Sequence, residues 1–168
     1  MKQFFVFLSF ALFVIIPAHA VEPADENRLD EIAKRGTHVM PFDLEKTTHI
    51  FTKTTEGGIQ QVIAKNPLDS EQIRLIREHL SEISTEFRQG DFSKPAQIHG
   101  DDMPGLAALK SAQAGQIKIE YKELPDGAQI NYSSESSSLI KAIHQWFDAQ
   151  LSDHARHAAP GHPHKHSH

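Results

Sequence analysis

Apolar residues recur at helical spacing in two places. Ile73, Ile76, Leu80, Ile83 and Phe87 make one stripe, and Leu139, Ile140, Ile143, Phe147 and Leu151 make a second with Trp146 at its edge. Each predicts an amphipathic helix with one face on a core. Asp69 is placed to cap the first, with Gln72 as its capping-box partner, Leu68 and Ile73 at the staple positions, and Gly90 to stop it. The serines of 133–138 lead into the second. Between the stripes the period changes. Thr47 to Thr54 is rich in β-branched and aromatic residues, Glu56-Gly57-Gly58 signals a turn, and Ile59 to Ala64 reads as the return strand. Ile117, Ile119 and Tyr121 alternate, Leu124-Pro125-Asp126-Gly127 turns, and Gln129 to Tyr132 returns. Residues 91–101 read as a loop, followed by a short helix carrying Leu106 and Leu109 and ended by Gly115.

The order strand-strand-helix-short helix-strand-strand-helix predicts an α+β fold. Its two β-hairpins form a small antiparallel sheet packed on one face by two main helices and a short helix. The ends are of different character. Residues 1–20 have a positive start, an apolar run from Phe4 to Ile16 and a small-residue site at Ala18-His19-Ala20, the form of a secretory signal peptide. Residues 21–39 are mostly polar and predict a flexible leader, with Leu29, Ile32 and Val39 as its only anchors and a short helix ending at Gly36 as the alternative. The single domain is expected over 40–153, and 154–168 as a His-rich disordered tail. The expected location is therefore exported, periplasmic or secreted, with no membrane attachment after cleavage.

Composition narrows the chemistry. There is no Cys, which excludes disulfides, zinc–thiolate sites, iron–sulfur clusters and covalent haem. The formal charge of −5 argues against nucleic acid as a partner. His is abundant, with 12 in the chain, and His154, His157, His162, His164, His166 and His168 crowd the last stretch. Neutral imidazole ligates copper, zinc and nickel, so this tract predicts metal capture. Two Met-Pro pairs outside the leader echo each other, Met40-Pro41 and Met103-Pro104, and both lie near His and Asp. Met40, His49, His99, Met103 and His144 are thus candidate ligands, a thioether–imidazole set that suits copper first. Asp148, four residues after His144, can share its helix face and orient it. No nucleophile elbow, P-loop, dinucleotide fingerprint or His-Glu-x-x-His stands in the chain.

The motifs Met-Pro-Phe-Asp-Leu (40–44), Thr-His-Ile-Phe-Thr-Lys (48–53), Gly-Asp-Phe-Ser (90–93), Ile-His-Gly-x-x-Met-Pro-Gly-Leu (98–106) and His-x-Trp-Phe-Asp-Ala-Gln-x-x-Asp-His (144–154) resemble a family of small exported bacterial proteins. Its members often carry the label aspartate carbamoyltransferase, which would imply a small transferase or hydrolase. The chain has no Ser-Thr-Arg-Thr phosphate loop and is too short for two α/β domains, so that activity is not expected. The leading expectation is an exported metal-binding protein with a copper or zinc ion as cofactor and partner. The alternative is a non-catalytic interaction or stress protein.

Overall fold

A computed structural model describes residues 21–162. Residues 1–20, where a signal peptide is expected, and the tail positions His164, His166 and His168 lie outside the described residues. Helix α1 spans Glu26–Val39, and a short 3-10 turn covers Leu44–Lys46. Strands β1 (Thr47–Thr54) and β2 (Gly57–Ala64) form the first hairpin, joined by Thr55-Glu56. Helices α2 (Ser70–Arg88), α3 (Ser93–His99) and α4 (Leu106–Ser111) follow. Strands β3 (Lys118–Leu124) and β4 (Gly127–Ser133) make the second hairpin, ahead of α5 (Ser137–Asp153) and a short β5 (Ala158–Pro160).

The fold is α+β, as the patterning predicts. The sheet has five strands in the order β3-β4-β2-β1-β5. The two hairpins join antiparallel through β2 and β4, with Val62 opposite Ala128. β5 adds a strand that the hairpins alone do not supply: it lies parallel to β1, with His49 opposite Ala158 and Phe51 opposite Pro160. One face is covered by α2 and α5. Phe51 meets Phe147 there with ring centroids 5.1 Å apart, and Phe87 stacks on Phe92 at 4.5 Å. On the other face a polar row runs across three residues, Gln61 Nε2 donating to Gln129 Oε1 and Gln129 Nε2 to Asn131 Oδ1. That alternation is what a sheet with one buried face requires. Two glycines permit close approach. A Cβ on Gly58 would lie 2.3 Å from the Phe147 ring, and one on Gly105, at φ 79°, would lie 2.1 Å from the Ala142 carbonyl oxygen. α5 can therefore rest on the β1–β2 hairpin and take the Met103-Pro104-Gly105 turn against its side.

Several local expectations change. The leader is not a loose segment over 26–39: it is helix α1, capped by Asp25 accepting from Arg28 N, and it buries Leu29 and Ile32. Two apolar anchors one turn apart, with Gly36 giving way to the Met40 side chain, suffice to dock it. The stretch read as a loop at 91–101 contains α3, where Pro95 falls in the first turn and breaks no helical hydrogen bond. The tail is part of the fold as far as β5. Asp69 caps α2, but Gln72 does not complete the box; its Oε1 accepts from Asp43 N at 2.8 Å and ties α2 to the chain entering β1. Leu68 is 87% exposed, so no staple forms. On α5 the buried face is rotated toward Leu139, Ile143, Trp146 and Phe147, and Trp146 is central rather than peripheral. It meets Phe87, Phe92 and Tyr132 edge-on. Among the described residues no helix is long and apolar enough to cross a membrane.

Candidate functional site

Five histidines come together where α1, the C-terminal ends of α3 and α5, and the edge pair β1–β5 meet. Each is placed by its element. His49 alternates with Phe51 on the core face of β1, His79 is buried on α2, and His99 is the last residue of α3. His154 is the C-cap of α5, and His157 precedes β5 and accepts the His49 backbone N–H through its carbonyl. All five are buried.

The centre of the cluster is a linear relay. His99 Nδ1 lies 2.8 Å from Asp153 Oδ2, and His99 Nε2 lies 3.2 Å from His154 Nε2. Arg28 backs the carboxylate with two bonds, Nε to Oδ1 and Nη2 to Oδ2, both 2.7 Å, and its Nη2 also donates to the His99 carbonyl. The order is Arg28–Asp153–His99–His154. A carboxylate on Nδ1 holds a proton of His99 there and turns its Nε2 toward His154. The His154 ring then stacks on His49, with centroids 5.2 Å apart and planes 4° apart. Two buried ring nitrogens, His49 Nδ1 and His157 Nδ1, have no partner among the described residues. His157 Nε2 faces Glu45 at 3.3 Å.

Burial sets the charge state. It pushes His49 down to about 3, with the nearby His79, His157 and His99 adding to the effect. It lowers His79 to about 4, with Lys94 contributing. It holds His154 well below the ordinary imidazole value, helped by His49. Burial alone would raise Asp153, but the hydrogen bonds from His99 and Arg28 outweigh it and keep the carboxyl below its usual range. At neutral pH His49, His79 and His154 are thus uncharged imidazoles, near one ionised, paired carboxylate, the state in which imidazole ligates metal or passes protons.

Beside the relay lies a small cavity of about 40 Å³. Its walls include Met40, His49, His79, His99, Gln60 and Trp146. A larger groove of about 620 Å³ between α2 and β3, lined by Arg77, Glu82 and Tyr121 among others, opens to solvent and gathers no such chemistry.

Three of the five core candidates from the sequence, Met40, His49 and His99, therefore share one cavity; His154 and His157, from what was read as tail, sit behind it against His99 and His49 and do not line it. The other candidates lie elsewhere. Met103 is buried in the apolar core ahead of α4 and does not line the cavity, so the Met-Pro echo is not a matched pair of ligands. His144 points to the other end of the sheet, where its Nε2 lies 3.0 Å from the Thr54 carbonyl and 2.9 Å from that of Gly57. Asp148 pairs with Lys53 rather than with His144. His162 is exposed past β5. Sequence reasoning missed Arg28, His79, Asp153 and Trp146. Asp153 stood beside His154 in a quoted motif, but Arg28 lay in the segment read as mobile. Among the described residues no three His, Asp or Glu side chains stand ready-grouped around a metal position. No family model, curated protein or solved structure matches the chain, so the site is read from its geometry.

Proposed function

We propose that this is an exported transition-metal-binding protein, copper first and zinc or nickel next, with its centre at His99 and His154. The observation that carries the reading is the 3.2 Å separation of their Nε2 atoms. Two nitrogens on one tetrahedral ion, each about 2.0–2.1 Å from it, lie about 3.3 Å apart. Replacing the shared proton by an ion requires that the His154 proton move to Nδ1 and that both rings tilt so that their lone pairs meet off the N–N line. Asp153 behind His99 is the outer partner that ligating histidines use. His49, whose ring stacks on His154 and whose buried Nδ1 has no partner, is the third ligand, and Met40 is the soft donor on the cavity side. The histidines from His162 onward form the capture segment.

The test is calorimetric titration of the chain from Val21 with Cu(I) under anaerobic conditions, and with Cu(II) and Zn(II). Trp146, the sole tryptophan, supplies an independent fluorescence signal from the cavity wall. One saturable equivalent that quenches Trp146 is expected, lost in His154→Gln and retained when His164, His166 and His168 are all alanine. No such equivalent with the tail substituted would confine metal to the tail and leave the domain as a non-catalytic interaction module.

A further inference from the structure

We infer that strand β3 is an association edge for a second copy of this chain. Two β3 strands pair antiparallel about Tyr121 and join the two sheets into one. This edge is opposite the one that carries β5 and the histidine cluster, and its role does not rest on the metal reading.

The two edges of the sheet end differently. One is closed by β5, three residues finishing in Pro160, and a short edge strand with Pro is a poor template for another strand. The other is β3, seven residues with no Pro. Its two-residue turn, Pro125-Asp126, makes Leu124 and Gly127 the closing hydrogen-bonded pair, so Lys118, Glu120, Lys122 and Leu124 bond to β4. The N–H and C=O groups of Ile119, Tyr121 and Glu123 therefore face outward. Arg88 covers one end of that row, its Nε donating to the Ile119 carbonyl at 2.9 Å, and a carbonyl can accept a second bond. Among the described residues no side chain bonds to the backbone of Tyr121 or Glu123. Such a row is a template for another strand.

Charge decides which strand fits. Tyr121 is the midpoint of Lys118–Leu124, so an antiparallel copy centred there pairs the whole strand. Tyr121 then meets Tyr121, and Ile119 meets Glu123, through the outward-facing backbone groups. Glu120 meets Lys122 in the non-hydrogen-bonded pair, where side chains come closest, and two-fold symmetry makes that opposite-charge contact twice. Both residues are exposed, on the polar face of the sheet beside Asn131 and Gln129. Glu120 is 2.9 Å from Lys118 of its own strand, and Lys122 makes no ion pair among the described residues. A copy centred on Glu123 would instead set that carboxylate against itself. On the helix side the acids next to the edge are already paired: Glu78 with Arg74 at 2.7 Å, Glu82 with Lys94 at 3.0 Å and Glu123 with Arg77 at 3.4 Å. The open groove that Tyr121 lines leaves room there for the ring of the second copy.

The experiment is sedimentation velocity of the chain from Val21 over a range of concentrations, in EDTA so that no metal bridges histidines of two copies. The wild type should show a reversible monomer–dimer equilibrium that weakens in high salt. Lys122→Glu and Glu120→Lys each set like charges opposite one another twice, and each should weaken the dimer about tenfold. The two substitutions move the net charge in opposite directions, so a loss in both cannot come from net charge. The double variant exchanges the signs and should restore the wild-type affinity. Both side chains are exposed on a polar face, so all three variants should keep the fold, which circular dichroism checks. A wild type that stays monomeric overturns the inference. So does a dimer that neither single substitution weakens, or one that the double variant fails to restore.

Discussion

Helix α5 carries two histidine–aspartate pairs, one near its middle and one at its end, and the fold treats them differently. His144 and Asp148 stand one turn apart, the spacing at which side chains meet on a helix. Yet His144 turns to the carbonyls of Thr54 and Gly57, and Asp148 turns to Lys53. Both serve to clip α5 to the β1–β2 hairpin, and Asp148 and Lys53 are each 40% exposed. Asp153 and His154 are sequence neighbours that do not bond to each other. They converge through a third residue, His99, brought in by α3, with Arg28 of α1 closing the far side. The lesson is that helical spacing makes a pair available, whereas burial and a partner from another element make it a site. At the exposed pair, water competes for every bond. At the buried one the side chains are shielded from solvent, and each nitrogen and oxygen must be met by a buried partner or by a ligand.

The sharpest way to separate the two ends is pH. His49 in the native chain titrates at about 3 and His79 at about 4, whereas in the unfolded chain each has the ordinary value near 6.5. Between those limits the unfolded state binds more protons, so stability rises with pH. The contribution is complete above about 6.5 and is lost as the pH falls toward 4, at up to about 1.4 kcal/mol per pH unit for each histidine. His154, lowered in the same direction, adds to the loss. Urea unfolding between pH 7 and 4.5 should show a fall of several kcal/mol, reduced in His79→Phe; a midpoint flat over that range would contradict the burial assigned to the cluster. Asp153 acts at the acid end. Its native pKa is depressed, so its stabilisation is present above about 3.8 and disappears only below that.

The next largest effect belongs to Asp153 itself. Asp153→Ala strips the carboxylate from a buried imidazole and frees Arg28, and about 3 kcal/mol should be lost, the scale for breaking a buried pair from one side. Chemical denaturation measures it. Proton NMR of the His99 ring should change as well, because the proton on Nδ1 loses its acceptor. A loss below about 1 kcal/mol would mean that the relay is a surface feature.

How far this site was legible is clear from particular residues. Periodicity placed α2, α5 and both hairpins, because each buries a continuous apolar face and the sequence repeats that need every turn or every second residue. Alternation puts His49, Phe51 and Lys53 on one face of β1, but does not say which face is buried; the structure buries His49 and Phe51 and leaves Lys53 exposed. The convergence was not legible, because it is made at element ends, where periodicity stops. His99 ends α3, His154 caps α5, and Arg28 sits in a helix whose apolar content is small enough to read as a leader. β5 is three residues of Ala-Ala-Pro, with no strand pattern at all; it is held by the open edge of β1, and that edge is a tertiary fact. His79 was visible on the flank of the α2 stripe, but only the packing of Phe42 edge-on at 5.6 Å shows that it is inside.

The smallest effects lie at the exposed end of the comparison, and they are the most discriminating about it. His144→Ala removes a donor to the hairpin carbonyls and should cost about 1 kcal/mol, the net value of one internal hydrogen bond. Asp148→Ala removes an exposed ion pair and should cost less than about 0.5 kcal/mol, falling further in high salt. Neither should alter metal uptake, because neither side chain reaches the cavity wall. The double variant should show the sum of the two single losses, since each clips α5 to the hairpin through its own partner. A measured coupling between them, or a metal equivalent lost with His144, would instead make the one-turn spacing a functional pair. It would move the site from the end of α5 to its middle.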